Sequence, residues 1–182
     1  LSPLLMAVLT IGLWALLNRP SAEPPWPARI QGFSFSPVRI DQDPSRKIFP
    51  TPEQIDSDLA LLENRAHAVR TYSVEDNFRE IPRLARNHKL NVTLGAWIGP
   101  YPDANERELE RLIGLLREGH SNIVRVMVGN ESLLRRELSL EDLIAYIERV
   151  RTITELPVST AEPWHVWLKY PQLVEHVDFI TI

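Results

Sequence analysis

From residue 29 onward, short β-branched or apolar runs alternate with segments of helical periodicity. The runs fall at 29–36, 66–73, 90–97, 122–129 and 157–161, and 177–182 opens a sixth. Between them the spacing predicts a helix from 51 carrying Ile55, Leu59 and Leu62, and another over 76–88. A third spans 105–117 with Leu109, Leu112, Ile113 and Leu116 on one face. A fourth starts at 139 with Leu143, Ile144, Ile147 and Val150 inward, and a short one covers 164–174. Strand–helix repetition of this kind implies a parallel sheet with helices outside it. Local chemistry agrees: Thr51 can cap, Pro52 suits a first turn and Gln54 completes a capping box. Pro82 demands a kink or a late start of its helix.

A barrel and an open doubly wound sheet share this pattern. An open nucleotide-binding sheet carries a glycine-rich turn after its first strand. Here Phe35 is followed by Ser36-Pro37-Val38-Arg39. The expected fold is therefore α/β, a (β/α)8 TIM-type barrel. A whole barrel takes about 250 residues, so residues 29–182 read as the N-terminal part of one, truncated after about six strands. Residues 4–17 form a charge-free apolar run, and 1–18 are expected to be a membrane anchor or signal-anchor helix. The run is short of the roughly 20 residues of a full span; a signal-peptide core and a buried helix are the alternatives. Residues 19–28 hold four of the fifteen prolines and read as a semi-rigid spacer. The order anchor, spacer, globular domain places the barrel outside the cytoplasm.

The composition is that of a globular protein, 44% hydrophobic and 24% charged. A net charge of −4 offers no basic surface for nucleic acid. The absence of cysteine removes a disulfide scaffold and thiolate metal sites, and the five histidines lack zinc-ligand spacing. No cofactor or metal is expected.

Chemistry concentrates at the C-terminal ends of the predicted strands, where barrel active sites lie. The fourth run ends Gly129-Asn130-Glu131. Glycoside cleavage needs an acid that protonates a leaving oxygen, beside groups that hold sugar hydroxyls. A strand-to-helix turn with Asn130 as a local cap is the other reading of these residues. Period-two alternation puts Glu131 on one face with Met127 and Arg125, and Val124, Val126 and Val128 on the other, under the helices. Arg125 then lies low in the barrel, and Arg70 shares a face with Tyr72. Buried arginines need partners, so inward carboxylates are expected. After the fifth run come Glu162, Trp164, His165 and Trp167, and Trp97 ends the third. The indoles suit sugar stacking, or a core.

Five segments in order, Gly-Phe-Ser-Phe-Ser-Pro at 32–37, Val-Arg-Thr-Tyr-Ser at 69–73, Val-Thr-Leu-Gly-Ala-Trp at 92–97, Val-Gly-Asn-Glu at 128–131 and Ser-Thr-Ala-Glu-Pro-Trp at 159–164, resemble the bacterial branch of glycoside hydrolase family 17. The resemblance covers roughly 29–182. It implies a β-1,3-glucanase or β-1,3-glucan transglycosylase on a (β/α)8 barrel. It further implies Glu131 as the general acid/base, Asn130 on the sugar 2-OH and Tyr72 lining the cleaved-sugar subsite. The family's nucleophilic Glu ends strand seven, beyond residue 182, so the chain alone is expected to be inactive. Arg70, Trp97, Glu162, Trp164 and Trp167 are the further candidates for substrate binding. Glu162 is expected to hold a sugar hydroxyl or to pair with Arg70. In the bacterial branch the domain often accompanies a membrane family 2 glycosyltransferase that makes β-glucan. The implied partners are therefore a β-glucan, the membrane and a glycosyltransferase region of the same protein, at the periplasmic side of a bacterial inner membrane. A non-catalytic glucan-binding domain tethered to a glucan synthase is the alternative.

Overall fold

The computed structural model describes residues 2–21 and 23–182. Leu1 of the expected anchor and Ala22 of the expected spacer lie outside the described residues. Five strands form one sheet, β1 (Ile30–Ser34), β2 (Ala66–Arg70), β3 (Asn91–Ala96), β4 (Ile123–Asn130) and β5 (Val158–Ala161). Their order in space is their order in sequence, and every pair is parallel. A doubly wound sheet reverses direction at a switch point; an unbroken sequential order is that of a barrel wall. The chain is thus a parallel five-stranded half-barrel, which decides between the two architectures the sequence left open.

The helices are α1 (Pro3–Leu17), α2 (Pro52–Ala60), α3 (Ile81–Asn87), α4 (Pro102–Arg117), α5 (Leu140–Arg151) and α6 (Trp164–Lys169). Thr51 and Gln54 make the capping box reciprocally at the start of α2. Pro82 produces a late start: residues 76–80 form a 3-10 turn and α3 begins at Ile81. Two of the expected spans shift at α4 and α6. Pro102, in the first turn, opens α4 earlier than predicted, and α6 is followed by a separate 3-10 turn over Pro171–His176.

The core lies between the sheet and α2–α5. Val69, Val92, Leu94, Val126 and Val128 from the strands meet Ile55, Leu59, Leu109, Leu112, Leu143 and Ile147 from the helices, all buried. Val124 is only partly buried. The alternate positions behave differently: Arg125 is exposed, with its guanidinium 5.3 Å from the Phe179 ring centroid. The expected carboxylate partner is therefore replaced by an aromatic face.

Residues 177–182 do not form a sixth strand. Only the bridge between Ala161 and Thr181 remains. The Asp178 carboxylate accepts from Val158 N at 2.8 Å, taking a ladder position that a strand would fill with a carbonyl. α1 has 15 residues, about 22 Å at 1.5 Å per residue, and all of its residues are exposed. Among the described residues no helix is long and apolar enough to cross a membrane, so the expected anchor does not appear as a spanning helix.

Candidate active site

The exits of β2, β4 and β5 meet. Arg70, Tyr72, Asn130, Glu131, Ala161, Glu162, Pro163 and Ile182 line a cavity of about 240 Å³. Close approach of the strands builds it. At Gly95 a Cβ would fall 2.1 Å from Thr71 O, and Gly95 N donates to Thr71 Oγ1 at 2.9 Å. Only glycine admits the β2 exit this near β3, and the next residue is Tyr72.

The β4 exit is kinked. Its register against β5 shifts between Met127 and Asn130, and Gly129 and Glu131 both have positive φ, 82° and 56°. A left-handed conformation at a non-glycine residue is a strained feature typical of functional turns. Glu131 N donates to Ala161 O at 2.7 Å, which locks the turn. The side chain is left exposed, and among the described residues its carboxylate makes no hydrogen bond or ion pair. Asn130 is oriented from across the mouth: Arg70 Nη2 donates to Asn130 Oδ1 at 2.5 Å. The Arg70 guanidinium also lies 4.8 Å from the Tyr72 ring centroid. Burial lowers the Arg70 pKa, opposed by the nearby Tyr72 and Glu131.

Glu162 lines this cavity but is held by partners other than Arg70. It is 1% exposed and does not pair with Arg70. Its two oxygens accept from Leu133 N at 2.9 Å and Leu134 N at 3.2 Å. Burial raises its pKa, with those amides and Arg135 pulling the other way. The carboxylate thus fastens the segment that follows Glu131. Trp167 is buried, and its indole N–H donates to Glu162 O at 2.9 Å and Thr181 O at 3.1 Å. It is a core residue and offers no stacking face. Trp164 is 65% exposed, edge-on to His165. Trp97 is 44% exposed and lies outside the smaller cavity. It borders a second cavity of about 710 Å³, which also touches Tyr72 and is walled by Val38, Phe49, Phe78 and α4.

Three residues of this neighbourhood were missed. Arg135 lies 4.5 Å from the Trp97 ring centroid, donates to Asn130 O and pairs with Glu137 at 2.7 Å. Ser132 Oγ donates to Ile98 O at 2.8 Å. Glu108, on α4, accepts from Val74 N and Trp97 N. Glu108 alone left a trace in the sequence, an acid between Asn105 and Leu112 on the inward stripe of an amphipathic helix. Among the described residues no group of three or more His, Asp or Glu could hold a metal ion.

Comparison with known proteins identifies the family and the fold. The family described as the BtgE/BtgC glycoside hydrolase domain matches residues 32–182. Glucan endo-1,3-beta-glucosidase btgC of Emericella nidulans is 29% identical over 131 residues, 66% of this chain and 20% of its own length. Glucan 1,3-beta-glucosidase BGL2 of Candida albicans is 25% identical over 127 residues, covering 61% of this chain and 41% of its own. The chain therefore spans well under half of these relatives. The glycoside hydrolase family 17 β-1,3-glucanosyltransferase of Rhizomucor miehei superposes with a TM-score of 0.69 at 23% identity, over 83% of this chain and 55% of that one. An active-site mutant of a Rhizomucor miehei β-1,3-glucanosyltransferase, in complex with laminaritriose, gives 0.70. The chain belongs to the BtgE/BtgC glycoside hydrolase domain family, within glycoside hydrolase family 17.

Proposed function

We propose that the intact protein is a retaining glycosidase or transglycosylase acting on β-1,3-glucan, and that Glu131 is its acid/base. The observation that carries this is the exposed Glu131 carboxylate, without a partner among the described residues, at the mouth of the half-barrel beside an Asn130 amide held by Arg70. In a retaining reaction one carboxylate attacks the anomeric carbon while the other protonates the leaving oxygen; the second then deprotonates the acceptor. Glu131, exposed at a strand exit, suits the second role. In this reading Asn130 holds the 2-OH of the reacting sugar and Tyr72 faces its ring. Glu162 does not suit the nucleophile, because both oxygens are engaged by backbone amides. The nucleophile is assigned to a carboxylate on a later strand of a complete (β/α)8 barrel. Water as acceptor gives hydrolysis, and a glucan hydroxyl gives transfer. The relatives support the linkage: two are named for β-1,3-glucan cleavage, and the matched enzyme for glucanosyl transfer.

The test is product analysis of the intact protein with laminari-oligosaccharides. Shorter products mean hydrolysis and longer ones transfer. Binding without either would replace the enzyme by the glucan-binding module, a reading that the exposed Trp164 and half-exposed Trp97 favour.

We further propose that the domain works on the periplasmic side of a bacterial inner membrane, with a glycosyltransferase region in the same protein. The support is α1, apolar and exposed along its length, followed by the proline-rich 19–28. Fractionation that finds the protein away from the membrane would contradict it.

A further inference from the structure

The larger cavity contains an acidic side chain that the reading above leaves without a task. Glu108 sits on the inner side of α4 and is 5% exposed. A single oxygen, Oε1, accepts from two backbone amides, Val74 N at 2.8 Å and Trp97 N at 3.1 Å. Val74 lies two residues beyond Tyr72, and Trp97 is the first residue past β3. Leu109, Leu112 and Leu115 occupy the same buried stripe. An acid stands among them because two inward amides at the strand exits need an acceptor.

The consequence falls on two aromatic walls. Tyr72 and Trp97 both line the 710 Å³ cavity, and Tyr72 also lines the smaller one beside Glu131. Trp97 is held at its backbone by Glu108 and at its ring by Arg135, which is itself fastened to Asn130 O and Glu137. The Tyr72 ring lies against Arg70, and the backbone just after it is held by the same Glu108 oxygen.

We propose that Glu108 is a positioning residue: by gathering the Val74 and Trp97 amides on one oxygen it sets Tyr72 and Trp97 as the aromatic walls of the larger cavity, and so governs affinity for a sugar chain rather than bond cleavage. The inference rests on the glucan reading above. The groups facing Glu108 are Arg111, 3.9 Å away, Ser73, and Glu75, which Lys47 neutralises at 2.5 Å. Arg107 lines the same cavity. Burial raises the Glu108 pKa, Ser73 and the two amides oppose the rise, and Glu75 adds to it.

The test uses the intact protein with Glu108→Gln and Glu108→Asp. Gln keeps an acceptor oxygen at the same reach without charge; Asp keeps the charge but is one methylene short. The expected KM for laminari-oligosaccharides stays within about twofold in Glu108→Gln and rises about tenfold or more in Glu108→Asp, while kcat changes less than about threefold. Selective 15N labelling of Val and Trp supplies a readout independent of turnover. The Val74 and Trp97 amide protons are expected to titrate together, with one midpoint above the ordinary glutamate value of 4.5, and to lose that step in Glu108→Gln. Amides that titrate separately, or a folded Glu108→Asp with wild-type KM, would overturn the proposal. A wild type that leaves β-1,3-glucan untouched would sink the proposed function instead, and the shared titration would still decide whether Glu108 holds both exits.

Discussion

Arg70 Nη2 donates to Asn130 Oδ1 at 2.5 Å, joining the exits of β2 and β4 across the cavity that Glu131 borders. The bond points the Asn130 carbonyl oxygen at the arginine, so the amide nitrogen is left for a ligand. The same guanidinium packs on Tyr72. One side chain thus orients both residues assigned to the reacting sugar.

Arg70→Lys keeps the charge but loses the planar fork that meets a ring and an amide together. In the intact protein, kcat/KM for β-1,3-glucan is expected to fall on the order of 10- to 100-fold, the scale of a misplaced positioning group. The melting temperature is expected to stay near wild type. A Lys variant with full activity would remove Arg70 from the site.

Two tryptophans three residues apart are expected to answer differently. Trp167→Phe strips the N–H from two carbonyls, Glu162 O and Thr181 O. Thr181 O keeps its bond from Glu162 N at 3.2 Å, so the buried Glu162 O alone is left unpaired, at a cost of about 1–3 kcal/mol, readable in urea unfolding. Trp164, 65% exposed, carries no such bond. Trp164→Ala should leave stability within about 0.5 kcal/mol, and any loss should appear in glucan affinity. Reversal of the two phenotypes would contradict the assignment of Trp167 to the core.

Glu108 and Glu162 predict the pH dependence of stability. Burial raises the pKa of both above the ordinary 4.5. A group that binds its proton more tightly when folded stabilises the fold below its unfolded pKa, and that contribution is lost as pH rises through the folded pKa. The unfolding free energy from these two groups should therefore fall as pH increases from about 4.5 toward each raised value. Glu108→Gln should remove its share of the fall. Urea titrations at a series of pH values measure both, and an unchanged slope in Glu108→Gln would contradict the account.

The architecture was legible because the information was local. Val126 and Val128 against Arg125 and Met127 gave the faces of β4, and Thr51 with Gln54 gave the start of α2. The failures have local physical reasons as well. Residues 177–182 have a strand's alternation, but Asp178 turns its side chain onto Val158 N and only one bridge forms. Glu162 and Trp167 carry the residue types of a sugar site. Their contacts are set by partners far along the chain, the amides of Leu133 and Leu134 and the carbonyl of Thr181. No spacing rule relates those positions. Arg70 shows the same limit: its position facing Tyr72 was readable, while its choice of Asn130 over a carboxylate was not.

The central claim is that Glu131 donates the proton to the leaving oxygen. The most direct measurement compares the intact wild type with Glu131→Gln on two substrates, a laminari-oligosaccharide and an aryl β-glucoside whose leaving group departs without protonation. The account predicts a loss on the order of 10²-fold or more for the oligosaccharide and a much smaller loss in the glycosylation step for the aryl glycoside. Equal losses on both substrates would contradict it.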